Sequence, residues 1–274
     1  MDFDLLKFPI EILNKLDLVW TFFLLVLRFT GLFLLLPGIS GGARGMMLRT
    51  PAILAISMAA TFSSPTAVFP ENWVGLIGQG FSEIAFGAAL GIIPRMIIDG
   101  VQTAGQLSSA TMGLGAAQLL DPTLGTNVSS ISRILGELVV IMFLILGGHY
   151  VIIHAATGLG TNLIPGTFLF NGRALDIIIS SSSNIFTIAA MVSAPVIVAL
   201  LLTQFVMGLV TKAVPTVNIF IVSFPLTIGI GLVLTSLSLP ELAKYIDRQF
   251  HKVEPAIVDV IESANSDTKI SFLK

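Results

Sequence analysis

Four charged side chains stand inside long apolar stretches, namely Arg28, Glu83, Arg95 and Glu137. A lone charge at the centre of a bilayer costs about 3 kcal/mol or more, so such groups are usually paired or serve transport. A proton or ion relay favours groups three or four residues apart on one helix face, and no two of these four have that spacing. The sequence therefore favours ion pairs, within the chain or to a neighbouring subunit, that fix the register of packed helices.

The remaining reactive groups lack the spacing that catalysis or metal binding needs. His149 and His154 are five residues apart, which places them on different faces of a helix, whereas a zinc pair needs a spacing of four. No serine lies in a Gly-x-Ser-x-Gly turn, and the glycine-rich stretches lack a P-loop lysine. Cysteine is absent. We therefore expect no enzyme, no cofactor and no metal site.

The composition is that of a membrane protein. Of the 274 residues, 54% are hydrophobic and 11% are charged, and the mean hydropathy is +0.95. Soluble domains carry about 25% charged residues, so lipid or other protein must cover this chain. The formal net charge of -2 provides no basic face, and nucleic acid is not an expected partner.

Six stretches are long and apolar enough to be read as spanning helices, which need about 20 residues. They are residues 18–39, 50–69, 76–98, 134–157, 185–211 and 216–239. The second is the weakest because Pro65 and two serines cut it short. From Pro240 the chain turns polar, and we expect a short amphipathic helix that breaks or restarts at Pro255, followed by a loose end. The class expected is an all-α, multi-helix integral membrane protein with kinked helical hairpins.

Glycine and proline mark where these helices meet and bend. Gly87 and Gly91 form a GxxxG pattern that lets helix backbones approach closely, within the chain and between chains. Pro225 lies in the last apolar run, and residues 215–218 look like a turn that joins the last two helices in a hairpin. Transporters use similar breaks to expose backbone at a substrate site, so this alternative stays open.

The longest interruption of the apolar pattern is residues 112–127. It carries no charge before Asp121, although a solvated loop would normally carry more charge and fewer leucines. We expect it to lie against apolar protein or inside a cavity, where irregular backbone is tolerated at membrane depth. The residues assigned to it are Met112, Gly113, Leu114, Gly115, Leu119, Leu120, Asp121 and Pro122.

Five motifs, in their order and spacing along nearly the whole chain, resemble the FliR family of export-apparatus membrane proteins, found in flagella and in virulence-type injectisomes. They are Arg28-x-x-Gly31 before Pro37, Glu83-x-x-x-Gly87, Met112-Gly113-x-Gly115 before Asp121-Pro122, Gly148-His149, and Pro215-x-x-Asn218-Ile219-Phe220 with Phe224-Pro225-Leu226. The chain departs from the family at residues 215–218, which read Pro-Thr-Val-Asn where the family often has Pro-Gln-Met-Asn.

This resemblance implies a hetero-oligomeric, pore-forming gate in the bacterial inner membrane, within the flagellar basal body. FliP and FliQ would be its direct partners, with FlhB and FlhA nearby, unfolded secreted proteins as substrates, and a cytoplasmic C-terminus. Residues 1–180 would be a FliP-like part whose central loop plugs the closed channel, 181–240 a FliQ-like hairpin, and 241–274 a polar tail. Helix and subunit packing would fall to Gly87, Gly91, Pro215, Asn218, Phe220 and Pro225.

Two other classes of protein compete with this reading. A secondary transporter for a small molecule fits the several apolar helices and their breaks, but it predicts internal repeats, and none is convincing here. An intramembrane enzyme would need a catalytic constellation, which the residues above do not provide. An export-gate subunit is therefore the leading hypothesis and the transporter its alternative.

Overall fold

A computed structural model describes residues 7–36, 43–114, 129–158, 163–168, 172–214 and 219–271. These residues form eight helices and no strand, which confirms the all-α class. In chain order the helices are α1 (Lys7–Leu35), α2 (Ala43–Thr61), α3 (Trp73–Met112), α4 (Ser130–Ile145), α5 (Gly148–Thr157), α6 (Gly172–Ala213), α7 (Ile219–Phe250) and α8 (Val253–Ser271).

Four stretches of the described chain are long and apolar enough to cross a membrane. They are Leu16–Leu35, Trp73–Met112, Ala174–Ala213 and Val222–Glu262. The pair α4 and α5 would form a fifth span, but the two helices are bent by 64°. The predicted stretch 50–69 is cut short at the serines as expected: α2 ends at Thr61, and its last turn closes with the amides of Ser63 and Ser64 on the Ala60 carbonyl.

Several prolines lie inside the long helices without ending them. α3 contains Pro94, α6 contains Pro195, and α7 contains Pro225 and Pro240. The break or restart expected at Pro255 is found a few residues earlier: the chain breaks at residues 251–252, and Pro255 falls in the first turn of α8. The first turn has no internal partner for its amides, so proline costs little there. The expected loose end is wrong in part, since α8 continues to Ser271.

The bend between α4 and α5 has a local cause. Gly147 precedes α5 with a φ of 73°, in the left-handed region that favours glycine. The amide of Leu146 still bonds to the carbonyl of Met142, so α4 closes normally before the turn. The predicted apolar stretch 134–157 is thus two helices at an angle instead of one straight span.

The chain folds into two compact units, and neither is continuous in sequence. The first unit comprises the described parts of Met1–Arg95, Gly147–Ser180 and Lys252–Lys274. In it α1 packs against α2 and α5, and α5 contacts α8. Its buried side chains include Leu24, Leu32, Phe86 and Phe168.

The second unit comprises the described parts of Met96–Leu146 and Ser181–His251. In it α4 packs against α7, and the rings of Phe143 and Phe250 lie 5.3 Å apart. Val139, Leu200 and Ile246 are fully or almost fully buried in this unit. The division expected at residue 180 from the resemblance stays a prediction about the two parts of the chain.

Candidate functional site

Arg28 of α1 and Glu83 of α3 form an ion pair inside the first unit. The guanidinium binds the carboxylate through two nitrogens: Nη2 donates to Oε1 at 3.0 Å, and Nε donates to Oε2. Both side chains are 0% exposed. Removing two charges from water is costly, and a two-point arginine–carboxylate contact is the geometry that offsets this cost best.

Backbone groups complete the pair from two further parts of the unit. Arg28 Nη1 donates to the carbonyl of Ala156 in α5 at 3.0 Å, and the amide of Gly166 donates to Glu83 Oε1 at 2.6 Å. The guanidinium also lies 4.9 Å from the ring centroid of Phe86, which packs on Phe168. One ion pair therefore ties α1, α3, α5 and residues 163–168 together, and we call these contacts the Arg28–Glu83 clamp.

The geometry of the clamp fits a fixed register contact better than a proton relay. A relay needs a group that exchanges protons with water or with a second titratable group, whereas both carboxylate oxygens of Glu83 already accept hydrogen bonds and neither side chain reaches solvent. The other two candidates, Arg95 and Glu137, are exposed at the surface of the chain. The chain by itself does not bury them.

Close approach of α1 and α3 beside the clamp depends on glycine. A Cβ added at Gly87 would meet the backbone carbonyl of Arg28, and one at Gly31 would meet that of Ile84. At Gly91 the added Cβ would lie 2.8 Å from the carbonyl of Leu32. The predicted close packing at Gly87 and Gly91 is therefore found between two helices of the same chain.

Residues 64–69 are fastened to the same unit by side chains that the sequence patterns did not single out. The amide of Ala67 donates to Thr21 Oγ1 at 2.8 Å, and Ser64 Oγ donates to the carbonyl of Thr157 at 2.8 Å. Trp20, whose ring packs against Phe69, donates from Nε1 to Gln79 Oε1 at 2.7 Å. These partners are 46 to 93 residues apart in sequence, so no local spacing rule could have found them.

The end of α3, in the second unit, is a sharply defined helix stop. Gly113 has a φ of 88°, its amide bonds to the carbonyl of Ala110, and the amide of Leu114 bonds to that of Ser109. This is the hydrogen-bond pattern of a Schellman cap, which needs a left-handed residue and hence glycine. The stop falls at the start of the predicted plug segment.

Side chains of α6 and α7 hold this helix end. Gln204 Nε2 donates to the carbonyl of Thr111 at 3.0 Å. The Thr227 hydroxyl lies 3.0 Å from the carbonyl of Met112, which shares this single donor with the carbonyls of Ser223 and Phe224 in the same helix as Thr227. The Met112 side chain is fully buried against Gly231, where a Cβ would lie 2.5 Å from Met112 Cγ. We call this contact set of Met112, Gly113, Phe224, Thr227 and Gly231 the α3 anchor.

Several predicted site residues lie outside the described residues. These are Gly115, Leu119, Leu120, Asp121, Pro122, Pro215 and Asn218. Phe220 lies in the first turn of α7, and its side chain is not among those described. Pro225 is exposed on α7. Of the predicted plug residues, Met112, Gly113 and Leu114 are described, and the first two belong to the α3 anchor.

Two long apolar helices leave most of their surface uncovered by their own chain. In the most apolar 18-residue stretch of each helix, only 28% of the residues of α6 and 11% of those of α7 are buried by the chain itself. Exposed side chains on α6 include Val198, Leu202, Phe205 and Leu209, which follow one another at helical spacing. An apolar surface of this extent needs lipid or other protein chains against it.

The sequence model of one protein family, the bacterial export proteins of family 1, matches residues 19–253. The flagellar biosynthetic protein FliR of Escherichia coli K12 is 28% identical over 213 residues, which cover 76% of this chain and 81% of the relative. FliR of Bacillus subtilis 168 is 26% identical over 80% of this chain and 86% of its own length. Yop proteins translocation protein T of Yersinia pestis is 25% identical over 77% of this chain and 82% of its own length.

Proposed function

The chain belongs to family 1 of the bacterial export proteins and is a membrane component of a type III export apparatus; from this membership we propose that it forms and seals the pore of the flagellar export gate. Unfolded proteins to be secreted would be its substrates. The proposed place is the bacterial inner membrane within the flagellar basal body, with the C-terminus on the cytoplasmic side. The proposed role is structural and involves no catalysis.

Partner chains are proposed because the apolar surfaces of α6 and α7 are too large to belong to an isolated chain. Because only 28% and 11% of the residues in their most apolar stretches are buried, both helices have room for neighbouring chains along most of their length. FliP- and FliQ-type chains are the proposed direct neighbours, and FlhB- and FlhA-type chains the proposed outer ones. The division into a FliP-like part up to residue 180 and a FliQ-like hairpin belongs to this proposal.

The single observation that carries the sealing role is the α3 anchor. A plug must be held firmly at its base, because a segment that swings freely cannot close a pore reproducibly. Thr227 and Gln204 bond the last carbonyls of α3, and Phe224 and Gly231 enclose Met112 and Gly113. The segment that follows carries no charge before Asp121. Residues 115–120 suit a seal, since they present no fixed charge to attract ions into the closed pore.

Deleting residues 115–127 tests the sealing role and leaves the α3 anchor in place. In the assembled complex the deletion should raise the permeability of the inner membrane to ions and small solutes, measured by planar-bilayer conductance or by uptake of a membrane-impermeant dye. Deleting residues 263–274 of the C-terminal end is the matched control and should leave permeability unchanged. A complex that assembles normally and stays tight without residues 115–127 would refute the seal.

The geometry of the Arg28–Glu83 clamp counts against the alternative function, a small-molecule transporter. Intramembrane charges of a transporter face a substrate path or a water-filled cavity. Arg28 and Glu83 instead face each other and two backbone groups, with no exposed surface. The clamp offers no site at which a substrate or a proton would bind.

A further inference from the structure

A cavity of about 380 Å³ lies among four helices of the second unit. Ser108 of α3, Leu135 of α4, Val196 of α6 and a long stretch of α7 line it. Its volume falls within the range of about 300–1,000 Å³ that is usual for sites of small ligands. The proposed gate function assigns no role to this cavity.

The walls of the cavity are apolar for most of its length. Leu135 and Val196 are almost fully buried and present methyl groups to it. The two hydroxyls that α7 contributes are already used within the helix: Thr235 Oγ1 donates to the carbonyl of Gly231 and Ser238 Oγ to that of Leu234, both at 2.8 Å. A ligand beside these residues of α7 would therefore find hydrocarbon and hydroxyls that already donate within the helix.

The other end of the cavity carries opposite charges. Glu241, Tyr245 and Arg248 line it from one face of α7, at spacings of four and three residues. Glu241 lies 3.6 Å from Lys244 in an exposed, weak pair. Side chains of a helix lean towards its N-terminus, so Arg248 leans towards Tyr245 and the cavity.

The charged end also coincides with the end of the apolar sequence. Between Asp176 and Glu241 the only charged residue is Lys212, and charges are frequent from Glu241 onwards. In a membrane helix such a change from apolar to charged residues marks the level of the lipid headgroups. On this sequence pattern, the cavity would run from hydrocarbon depth to headgroup depth.

We propose that this cavity binds one zwitterionic phospholipid with an amine headgroup. An acyl chain would lie along Leu135 and Val196, the phosphate would bind Arg248, and the amine would bind Glu241. A free inorganic anion would leave the apolar walls unfilled, and an apolar helix of a partner would bring no anionic group to Arg248. Only an amphiphile that carries both charges matches both ends of the cavity.

The test uses the full chain, co-expressed with its genomic neighbours and purified without detergent in polymer-bounded membrane discs. After exchange into a mild detergent, the phospholipids that stay bound are counted and identified by mass spectrometry. Dioleoyl phosphatidylethanolamine and dioleoyl phosphatidylglycerol, supplied in equal amounts, then compete for rebinding. We expect one tightly held phospholipid per chain, with the amine-headed lipid preferred.

Three variants separate the two ends of the site. Ser238→Phe fills the apolar part and should abolish retention, whereas Ser236→Phe, an exposed position of the same helix that does not line the cavity, should retain the lipid. Arg248→Gln removes an exposed charge that folding does not need, and should weaken binding of both lipids about tenfold. Glu241→Gln should remove the preference for the amine headgroup and leave the affinity for phosphatidylglycerol unchanged or higher.

Other occupants give different results. Equal lipid retention in the wild type, Ser238→Phe and Arg248→Gln would overturn the proposal. A photoreactive amino acid at position 238 should form an adduct with phospholipid, and an adduct with a partner protein would assign the cavity to a helix instead. A cavity occupied by detergent alone, with no phospholipid preferred over it, would also overturn the proposal.

Discussion

Breaking the Arg28–Glu83 clamp from one side should destabilise the first unit strongly. Arg28→Met leaves a buried carboxylate, and Glu83→Met leaves a buried guanidinium, both at positions with no access to solvent. Removing one partner of a buried ion pair costs about 3–5 kcal/mol. If the two changes were independent, the double variant would lose about 6–10 kcal/mol.

The structure predicts a smaller loss for the double variant. With both charges gone, only the amide of Gly166 and the carbonyl of Ala156 lose their partners. Each such buried backbone group costs about 1–3 kcal/mol, or about 2–6 kcal/mol together. The midpoints of the two ranges, about 8 and 4 kcal/mol, differ by about 4 kcal/mol, which is the coupling energy expected from the double-mutant cycle.

The assay is unfolding of the purified chain in mixed micelles, followed by the fluorescence of Trp20. Trp20 is buried in the first unit, and Trp73→Phe removes the other of the two tryptophans. Lys244→Met, which breaks the exposed pair with Glu241, is the control and should change stability by less than about 1 kcal/mol. Protein secretion in cells that carry each variant gives a second readout.

Two results would refute this reasoning. Single variants that each cost less than about 1 kcal/mol, or a double variant that loses the sum of the two, would show that the charges do not stabilise each other. A double variant that is stable and assembles normally but secretes nothing would restore the proton-relay hypothesis. A double variant that is about as stable as either single variant, instead of losing the sum of the two, and that still secretes would establish the clamp as a register contact.

Three further predictions concern glycine packing and the α3 anchor; thermal unfolding of the purified particle checks their effects on stability, and planar-bilayer conductance checks the ion leak. Gly87→Ala should lower stability and yield because its Cβ meets the backbone of α1, whereas Gly78→Ala, with open space on the same helix, should be neutral or stabilise by up to about 1 kcal/mol. Gly113→Ala should cost at least about 1–2 kcal/mol because its φ is 88°, and Gly229→Ala, with open space in α7, is its control. Thr227→Val keeps the side-chain shape but removes the bond to the end of α3, and should cost about 1 kcal/mol and raise the basal ion leak of the gate.

Each of these three predictions can be contradicted by a separate result. Equal melting of the Gly87→Ala and Gly78→Ala variants would contradict the close approach of α1 and α3. Unchanged stability of Gly113→Ala, or a Gly229→Ala variant that is damaged as much, would contradict the left-handed helix stop. An unchanged leak in Thr227→Val would remove the link between the α3 anchor and sealing.

The helical class was predictable because it depends on composition and on runs of apolar residues, which are local properties. Helix ends were predictable only where the stop is local too. The Ser63-Ser64-Pro65 break ended α2 as expected. The third apolar stretch was predicted to end at residue 98, but α3 continues to Met112, where Gly113 stops it at the start of the predicted plug segment. Pro240 did not end its helix, because α7 continues to Phe250, where Ile246 and Phe250 are buried. Tertiary packing stabilises that extension, and no local pattern reports it.

The ion-pair candidates show the same division between local and non-local information. The sequence marked Arg28 and Glu83 as charges that need partners, but they are 55 residues apart and no spacing rule joins them. The backbone partners are further away in sequence: Ala156 is 128 residues from Arg28, and Gly166 is 83 residues from Glu83. Arg95 and Glu137 carried the same sequence signal, yet the chain leaves both exposed. Hydropathy alone does not say which face of a helix a charge occupies.

The measurement that tests the central claim most directly is the mass of the assembled particle. The tagged chain would be co-expressed with its genomic neighbours, solubilised gently and weighed by native mass spectrometry. We expect a hetero-oligomer in which this chain is bound to several copies of small helical membrane partners, which cover the apolar faces of α6 and α7. A stable monomer or homodimer with no partner bound would contradict the export-gate function and would favour a transporter.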